Sequence, residues 1–244
     1  MTGLAFAAAV AAVSVLAGAT ASVVGFGIGS LLTPLLAVRY GTDAAIIVVA
    51  LPHFAGSALR GWRLRRAVDR ALLLRFGVLS AAGGLTGALL FARLGSSMLT
   101  PILGALLLMT AGAGLTGWAE RWRPRGALVW LLGALSGFFG GVVGNQGGLR
   151  AAALSAFGLT PPAFIATSTV IGVAIDLART PVYLVRGWST AAGLSGPIVV
   201  AAAGVIAGTL LGERVMFGLS RRRFRALVSL AVGALGIWFL ARGL

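Results

Sequence analysis

The chain has 244 residues, of which 59% are hydrophobic and 10% charged, and its mean hydropathy is +1.01. A soluble domain of this size has no use for so much apolar surface, so the composition predicts an all-α integral membrane protein. All the basic residues behind the net charge of +15 are arginines. These arginines cluster in short loops between apolar segments, which is the pattern that orients a protein in a membrane and not the pattern of a nucleic-acid-binding protein. The lack of cysteine excludes disulfides and thiolate sites, and a single histidine excludes an ordinary zinc site, so no cofactor is expected.

Ten apolar segments follow one another along the chain. They cover residues 3–22, 29–38, 43–62, 71–93, 97–118, 126–143, 148–158, 162–186, 191–211 and 223–243. A helix that spans a bilayer needs about 20 residues, and only the segments 29–38 and 148–158 are clearly too short. Each of these two follows a glycine-rich break and is predicted to be the second arm of a hairpin or broken helix. The stretch Gly3–Thr20 lacks a preceding cationic region, so we interpret it as a retained membrane helix and not a signal peptide.

The two glycine-rich breaks lie in two similar halves of the chain. Identical residues recur at a spacing of 119 positions, without a gap, between 16–60 and 135–179. The matched residues include Gly25 and Gly144, Gly29 and Gly148 in the two breaks, and Arg60 and Arg179. We therefore predict two membrane repeats, residues 1–122 and 123–244, that together form one integral membrane domain.

Three arginine-rich loops predict the orientation of these repeats. They are residues 60–75, 119–125 and 212–225, and the positive-inside rule places all three in the cytoplasm. This placement requires 126–158 to be a hairpin without a net crossing, which leaves one hairpin and three full spans in each half. Three crossings invert the second half relative to the first and put both termini outside. Inverted repeats with broken helices at their centre are typical of secondary transporters.

The second break contains an arginine at a depth where charge is unfavourable. Arg150 follows two glycines in an otherwise apolar stretch, and a charge at the bilayer centre costs roughly 2.5–3.5 kcal/mol. The N-terminus of a broken helix binds anions through its backbone N–H groups, and a guanidinium adds a planar pair of donors. We predict a bound small oxyanion; the alternative is an arginine that extends to the lipid headgroups. The expected substrate-binding residues are Gly25, Gly27, Gly29, Asn145, Gln146, Gly147, Gly148, Arg150, Thr167 and Ser168.

Several of these residues also have a purely structural interpretation. Asn145 and Gln146 alternatively cap a helix or bridge two helices. Thr167 and Ser168 alternatively bond only to the backbone of their own helix. The glycines are needed for the turn whether or not a ligand binds.

Asp176 is the only carboxylate well inside a predicted span, which makes it a candidate proton carrier. Arg179 lies three residues further along the same helix face, so a structural ion pair is the alternative role for both residues. His53, in the segment 43–62, is a candidate proton relay, and the alternative is a buried histidine held by a hydrogen bond. These three residues are the candidate coupling residues.

The two breaks resemble the repeated motif of the TauE/SafE family, the sulfite exporters. The first copy, Gly25–Leu36, reads GFGIGSLLTPLL, and the second, Gly144–Leu154, reads GNQGGLRAAAL. Ile28 stands where the family has a glycine, whereas Gln146 and Ala153 stand where it has a glycine and a proline.

The resemblance implies a multi-pass transporter of the bacterial inner membrane that is not an enzyme. It implies export of small sulfur oxyanions such as sulfite, sulfoacetate or related organosulfonates. Asp176 predicts that the export is proton-coupled, with sodium as the open alternative, and the inverted repeats predict alternating access. A carrier of carboxylates or other anions and an anion channel are the alternatives, while a membrane-embedded enzyme lacks a sufficient acid–base set. The expected partners are the small anion and the lipid bilayer. The oligomeric state stays open, a homodimer included.

Overall fold

A computed structural model describes residues 3–25, 27–145, 147–215 and 221–243, and the regular elements in these ranges are all helical. The all-α class is therefore confirmed. The α-helices of the described ranges are α1 (Gly3–Val24), α2 (Ile28–Tyr40), α3 (Thr42–Arg63), α4 (Arg70–Leu72), α5 (Val78–Phe91), α6 (Ser96–Thr116), α7 (Trp118–Arg121), α8 (Ala127–Val143), α9 (Gly147–Ser155), α10 (Pro161–Gly193), α11 (Ser195–Val215) and α12 (Arg221–Gly243).

Seven helical segments in the described ranges are long and apolar enough to cross a membrane. Six of them are α1, α3, α6, α10, α11 and α12. The seventh, Arg70–Phe91, runs from α4 through a π-helical stretch, Leu73–Gly77, into α5. The helices α2 and α9 have 13 and 9 residues, so both predicted short segments are confirmed as short helices.

Two helical hairpins result from the glycine-rich breaks. In the first, α1 packs against α2, and in the second, α8 packs against α9. Gly25, Gly27 and Gly144 have φ values of 87°, 134° and 73°. Positive φ values of this size are rarely adopted by residues that have a Cβ, and they favour glycine. The breaks therefore need glycine for their backbone geometry alone.

The first helix of each hairpin packs along a full span of the other half. The helix α1 runs beside α11, with Ser14 next to Gly204 and Ser22 next to Gly212. The two helices are parallel, because both residue numbers increase together. A Cβ added to Gly204 would lie 2.6 Å from the Cβ of Ser14, so small residues are needed for this close approach.

The helix α8 packs in the same way along α5, and this pair is also parallel. In each of these two pairs, a helix from residues 1–122 therefore runs parallel to a helix from residues 123–244.

Helices in corresponding positions of the two halves meet in opposite directions. The central pair is α3 with α10, and a second pair is α6 with α12. Along the first pair Ile47 lies beside Gly187 and Arg60 beside Thr169, so one number rises as the other falls. Such antiparallel crossing is the arrangement that inverted repeats require.

Two sequence expectations about segment ends were wrong. Arg60 is not in a loop, because α3 continues to Arg63 and Arg60 is buried. The tenth helix extends to Gly193 and does not end at residue 186, although Gly187 breaks its regular geometry with φ −127° and ψ 34°. Inside α3, Arg60 donates a hydrogen bond from Nε to the buried hydroxyl of Thr169.

Candidate anion-binding site

The two glycine-rich breaks meet and form one cleft. Gly29, in the first turn of α2, packs directly against the carbonyl oxygen of Gly144. Ser30 donates a hydrogen bond from Oγ to Asn145 Oδ1 across the two breaks, at 3.1 Å. Residues of both breaks line the cleft together with side chains from α3 and α9, so helix ends from both halves converge on it.

Three side chains bring hydrogen-bond donors that have no partner among the described residues. These donor atoms are Arg60 Nη1, Asn145 Nδ2 and Arg150 Nη1. Their residues all line the cleft and are only 5%, 3% and 3% exposed. Amide and guanidinium nitrogens donate and do not accept, and an unsatisfied buried donor costs about 1–3 kcal/mol, more when charged. The site is therefore rich in donors and suited to a ligand that carries oxygen acceptors.

Two adjacent hydroxyl groups of α10 hold the two arginines in place. Arg60 donates from Nε to Thr169 Oγ1, and Arg150 donates from Nε to Ser168 Oγ, both at 2.9 Å. Each bond fixes one edge of the guanidinium. Gly172 lies one turn further along α10, where a Cβ would come within 3.3 Å of Arg150 Nη1. Glycine at that position leaves room for the guanidinium.

A buried acid lies behind the cleft and is joined to it by a histidine. Asp176 is 0% exposed, and its Oδ2 is 2.6 Å from His53 Nδ1. Arg179 contacts the other carboxylate oxygen from Nε at 2.9 Å and from Nη2 at 2.8 Å. It also donates from Nη1 to the carbonyl oxygen of Gly140 at 2.5 Å. Because His53 lines the cleft, it connects the cleft to the Asp176–Arg179 pair.

The cleft brings together most of the residues that the sequence singled out. Those that line it are Gly25, Gly27, Gly29, Asn145, Gly147, Arg150 and His53. Ser168 reaches the site through its bond to Arg150. Gly148 lies in the first turn of α9, and Gln146 lies outside the described residues. Asn145 also takes the bridging role that was its alternative, through Ser30.

Thr167, Asp176 and Arg179 were also predicted, and they do not line the cleft. Asp176 nevertheless contacts His53, and Arg179 lies beside Gly144. Thr167 accepts a hydrogen bond from the backbone N–H of Asp69 at 3.0 Å, so its hydroxyl holds the connection between α3 and α4. It does not bond only to its own helix, as its structural alternative would require.

Sequence reasoning missed Arg60, Thr169 and Ser30 as residues of the site. A signal was present for Arg60, because it matches Arg179 at the 119-residue spacing of the two halves. Ser30 and Thr169 are ordinary membrane-helix hydroxyls in the sequence, and only their contacts distinguish them.

A second cavity adjoins the cleft at the first turn of α2. Gly27 and Ser30 line both spaces. The second cavity lies between α1, α6 and α12, and it reaches Thr110, Ser229 and Arg225. Arg225 lies in the first turns of α12, so this cavity extends from the cleft towards the beginning of that helix.

The fold and the site define a multi-pass helical membrane protein with a buried, cationic, donor-rich cleft where two broken helices meet. A family model described as Sulfite exporter TauE/SafE matches residues 10–239, and the chain belongs to that family. Membership implies a membrane exporter of sulfite or related anions. No curated protein and no solved structure matches the chain.

Proposed function

We propose that the protein is a secondary transporter that exports small sulfur oxyanions, sulfite, sulfoacetate or related organosulfonates, across the bacterial inner membrane. The observation that carries this proposal is the set of three buried donors, on Arg60, Asn145 and Arg150, that face one cleft without a partner among the described residues. A sulfonate or sulfite group offers three oxygen acceptors. Guanidinium donors bind such groups through short, charge-assisted hydrogen bonds.

Two helix ends add to the attraction for anions. The helices α2 and α9 begin at Ile28 and Gly147, and both of these residues line the cleft. The first backbone N–H groups of a helix have no partner within it, and the helix dipole places a partial positive charge there. An oxyanion in the cleft would lie near both helix ends as well as the two arginines.

Alternating access is supported by the way the two halves pack. We propose that residues 1–122 and 123–244 are inverted repeats that rock against each other around the cleft. The antiparallel pairing of α3 with α10 supports the inversion. The second cavity supports a route towards the arginine-rich side, and the turn that contains Gly27 and Ser30 would close that route.

Proton coupling is proposed for the His53–Asp176 pair. His53 lines the cleft and shares a short hydrogen bond with Asp176. A proton held by this pair adds a positive charge close to the bound anion, so the anion and the proton would favour each other's binding and move in the same direction. Export would then be driven by the anion's own gradient and the membrane potential, and a proton gradient in the direction of the anion flux would stimulate it. The alternative, a structural role, would leave transport independent of this proton.

The experiment is flux into proteoliposomes of the purified protein. The panel contains sulfite, sulfonates, sulfate and short carboxylates, with and without an imposed pH gradient. Saturable flux of a sulfur oxyanion with counterflow supports the carrier, and stimulation by the gradient supports coupling. Saturable flux of carboxylates alone contradicts the sulfur assignment, and flux that does not saturate or show counterflow favours a channel.

A further inference from the structure

The buried charges around the cleft do not balance. Among the described side chains, three arginines are buried, Arg60, Arg150 and Arg179, and Asp176 is the only buried carboxylate. Asp176 contacts Arg179 through two nitrogen atoms. With a neutral imidazole at His53, three guanidinium groups and one carboxylate leave two positive charges in the interior.

The imbalance comes from one difference between the two halves. Arg60 and Arg179 match at the 119-residue spacing, and so do the residues three positions before them, Ser57 and Asp176. In the second half the acid and the arginine form an ion pair. In the first half a buried serine occupies the position of the acid, at 1% exposure. Arg60 therefore keeps its charge available for the cleft.

Two uncompensated guanidinium groups at one buried site are unfavourable by themselves. Burial removes the water that would solvate and screen these charges. For the same reason, a buried ion pair that loses one partner leaves an uncompensated charge and is strongly destabilised. Arg60 and Arg150 have one hydroxyl partner each on Nε and a free donor on Nη1. Two negative charges on the ligand compensate them, whereas a monoanion leaves one positive charge unbalanced.

We infer that the transported anion carries two negative charges, and that Arg60 determines this preference because Ser57 stands at the position that Asp176 has in the second half. The inference rests on the proposed anion-carrier function and adds the charge of the ligand to it. Arg60 is thereby a specificity-determining residue, distinct from the arginine that the sequence identified in the second break.

Two sulfonates with a two-carbon skeleton test the inference in proteoliposomes. Sulfoacetate carries two negative charges at neutral pH, and isethionate carries one. For the wild-type protein we expect the KM for sulfoacetate to be lower than the KM for isethionate by roughly tenfold or more, because an added charge-assisted hydrogen bond has about that effect. Equal KM values for the two anions would overturn the inference while leaving the carrier intact.

The variant Ser57→Asp supplies the missing acid to Arg60. We expect this variant to reverse the order of the two KM values, so that isethionate has the lower KM. Asparagine is similar in size to aspartate but uncharged, so Ser57→Asn should keep the wild-type order. Arg60→Gln is the second variant, since it removes the same charge without adding a buried carboxylate, and it should shift the preference in the same direction as Ser57→Asp. Size-exclusion chromatography shows that each variant is folded.

The failures of the two hypotheses are distinguishable. An unchanged preference for sulfoacetate in folded Ser57→Asp and Arg60→Gln proteins would contradict the role of Arg60. Absence of saturable flux for both anions in the wild-type protein would instead contradict the proposed function, and with it this inference.

Discussion

Replacement of Arg150 by alanine is the most direct perturbation of the cleft. The arginine is 3% exposed, and its Nη1 has no partner among the described residues. A hydrogen bond between a charged donor and an anion contributes about 1.5–3 kcal/mol. Loss of one such bond therefore weakens anion binding by about 10- to 150-fold.

Substitution with lysine separates charge from geometry at this position. Arg150→Lys keeps the positive charge but loses the Nε bond to Ser168 and the planar pair of donors. We expect an affinity between those of the wild-type and Arg150→Ala proteins. If only the positive charge of Arg150 mattered, the anion affinity of the lysine variant would equal that of the wild type.

The assay is equilibrium binding of sulfite or sulfoacetate to the purified protein, followed by the KM of flux in proteoliposomes. Arg65→Ala is the matched control, because Arg65 is exposed, lies after α3, and contacts Trp62 and not the cleft. Its affinity should equal that of the wild type. Unchanged affinity in a folded Arg150→Ala protein would refute the assignment of Arg150 to the anion site.

Three further predictions concern coupling, packing and access. Asp176→Asn should abolish the dependence of flux on a pH gradient while downhill, saturable flux remains, because the variant removes the acid that the His53 relay needs. Gly141→Ala should lower stability by about 1–3 kcal/mol, since the added Cβ would lie 2.7 Å from the backbone nitrogen of Ala88, and thermal unfolding measures the loss. Ser229→Cys should be labelled by a charged thiol reagent from the arginine-rich side, with a loss of flux, because this side chain lines the second cavity.

Each of these three variants has its own control. If the flux of the Asp176→Asn protein still depended on the pH gradient, Asp176 would have only its alternative, structural role as the ion-pair partner of Arg179. Gly112→Ala adds the same methyl group where no atom lies within 4 Å, so it should leave the unfolding temperature unchanged. The wild-type chain contains no cysteine and should not react with the reagent, and a Ser229→Cys protein that is labelled without losing flux would contradict the proposed route.

The local sequence was sufficient to predict the hairpins and part of the site. Long apolar runs specify membrane helices because the bilayer requires internal backbone hydrogen bonding. Glycine clusters interrupt those runs, and the described residues Gly25, Gly27 and Gly144 have the positive φ values of the predicted breaks. Arg150 was identified from one charge in an apolar stretch, which is also a local signal.

The tertiary structure decided which side chains share the cleft. His53 and Asp176 are 123 residues apart in sequence and meet only because α3 and α10 cross. Arg60 looked like one more arginine of a cytoplasmic loop, but the crossing brings it to Thr169 and the cleft. Thr167, two positions before Thr169, faces the backbone of Asp69. Hydropathy and turn signals act over one or two helical turns, whereas the rotation of each helix follows from packing between distant segments. The sequence by itself therefore determined where the helices run and break, and the packing of the two halves determined which charges meet between them.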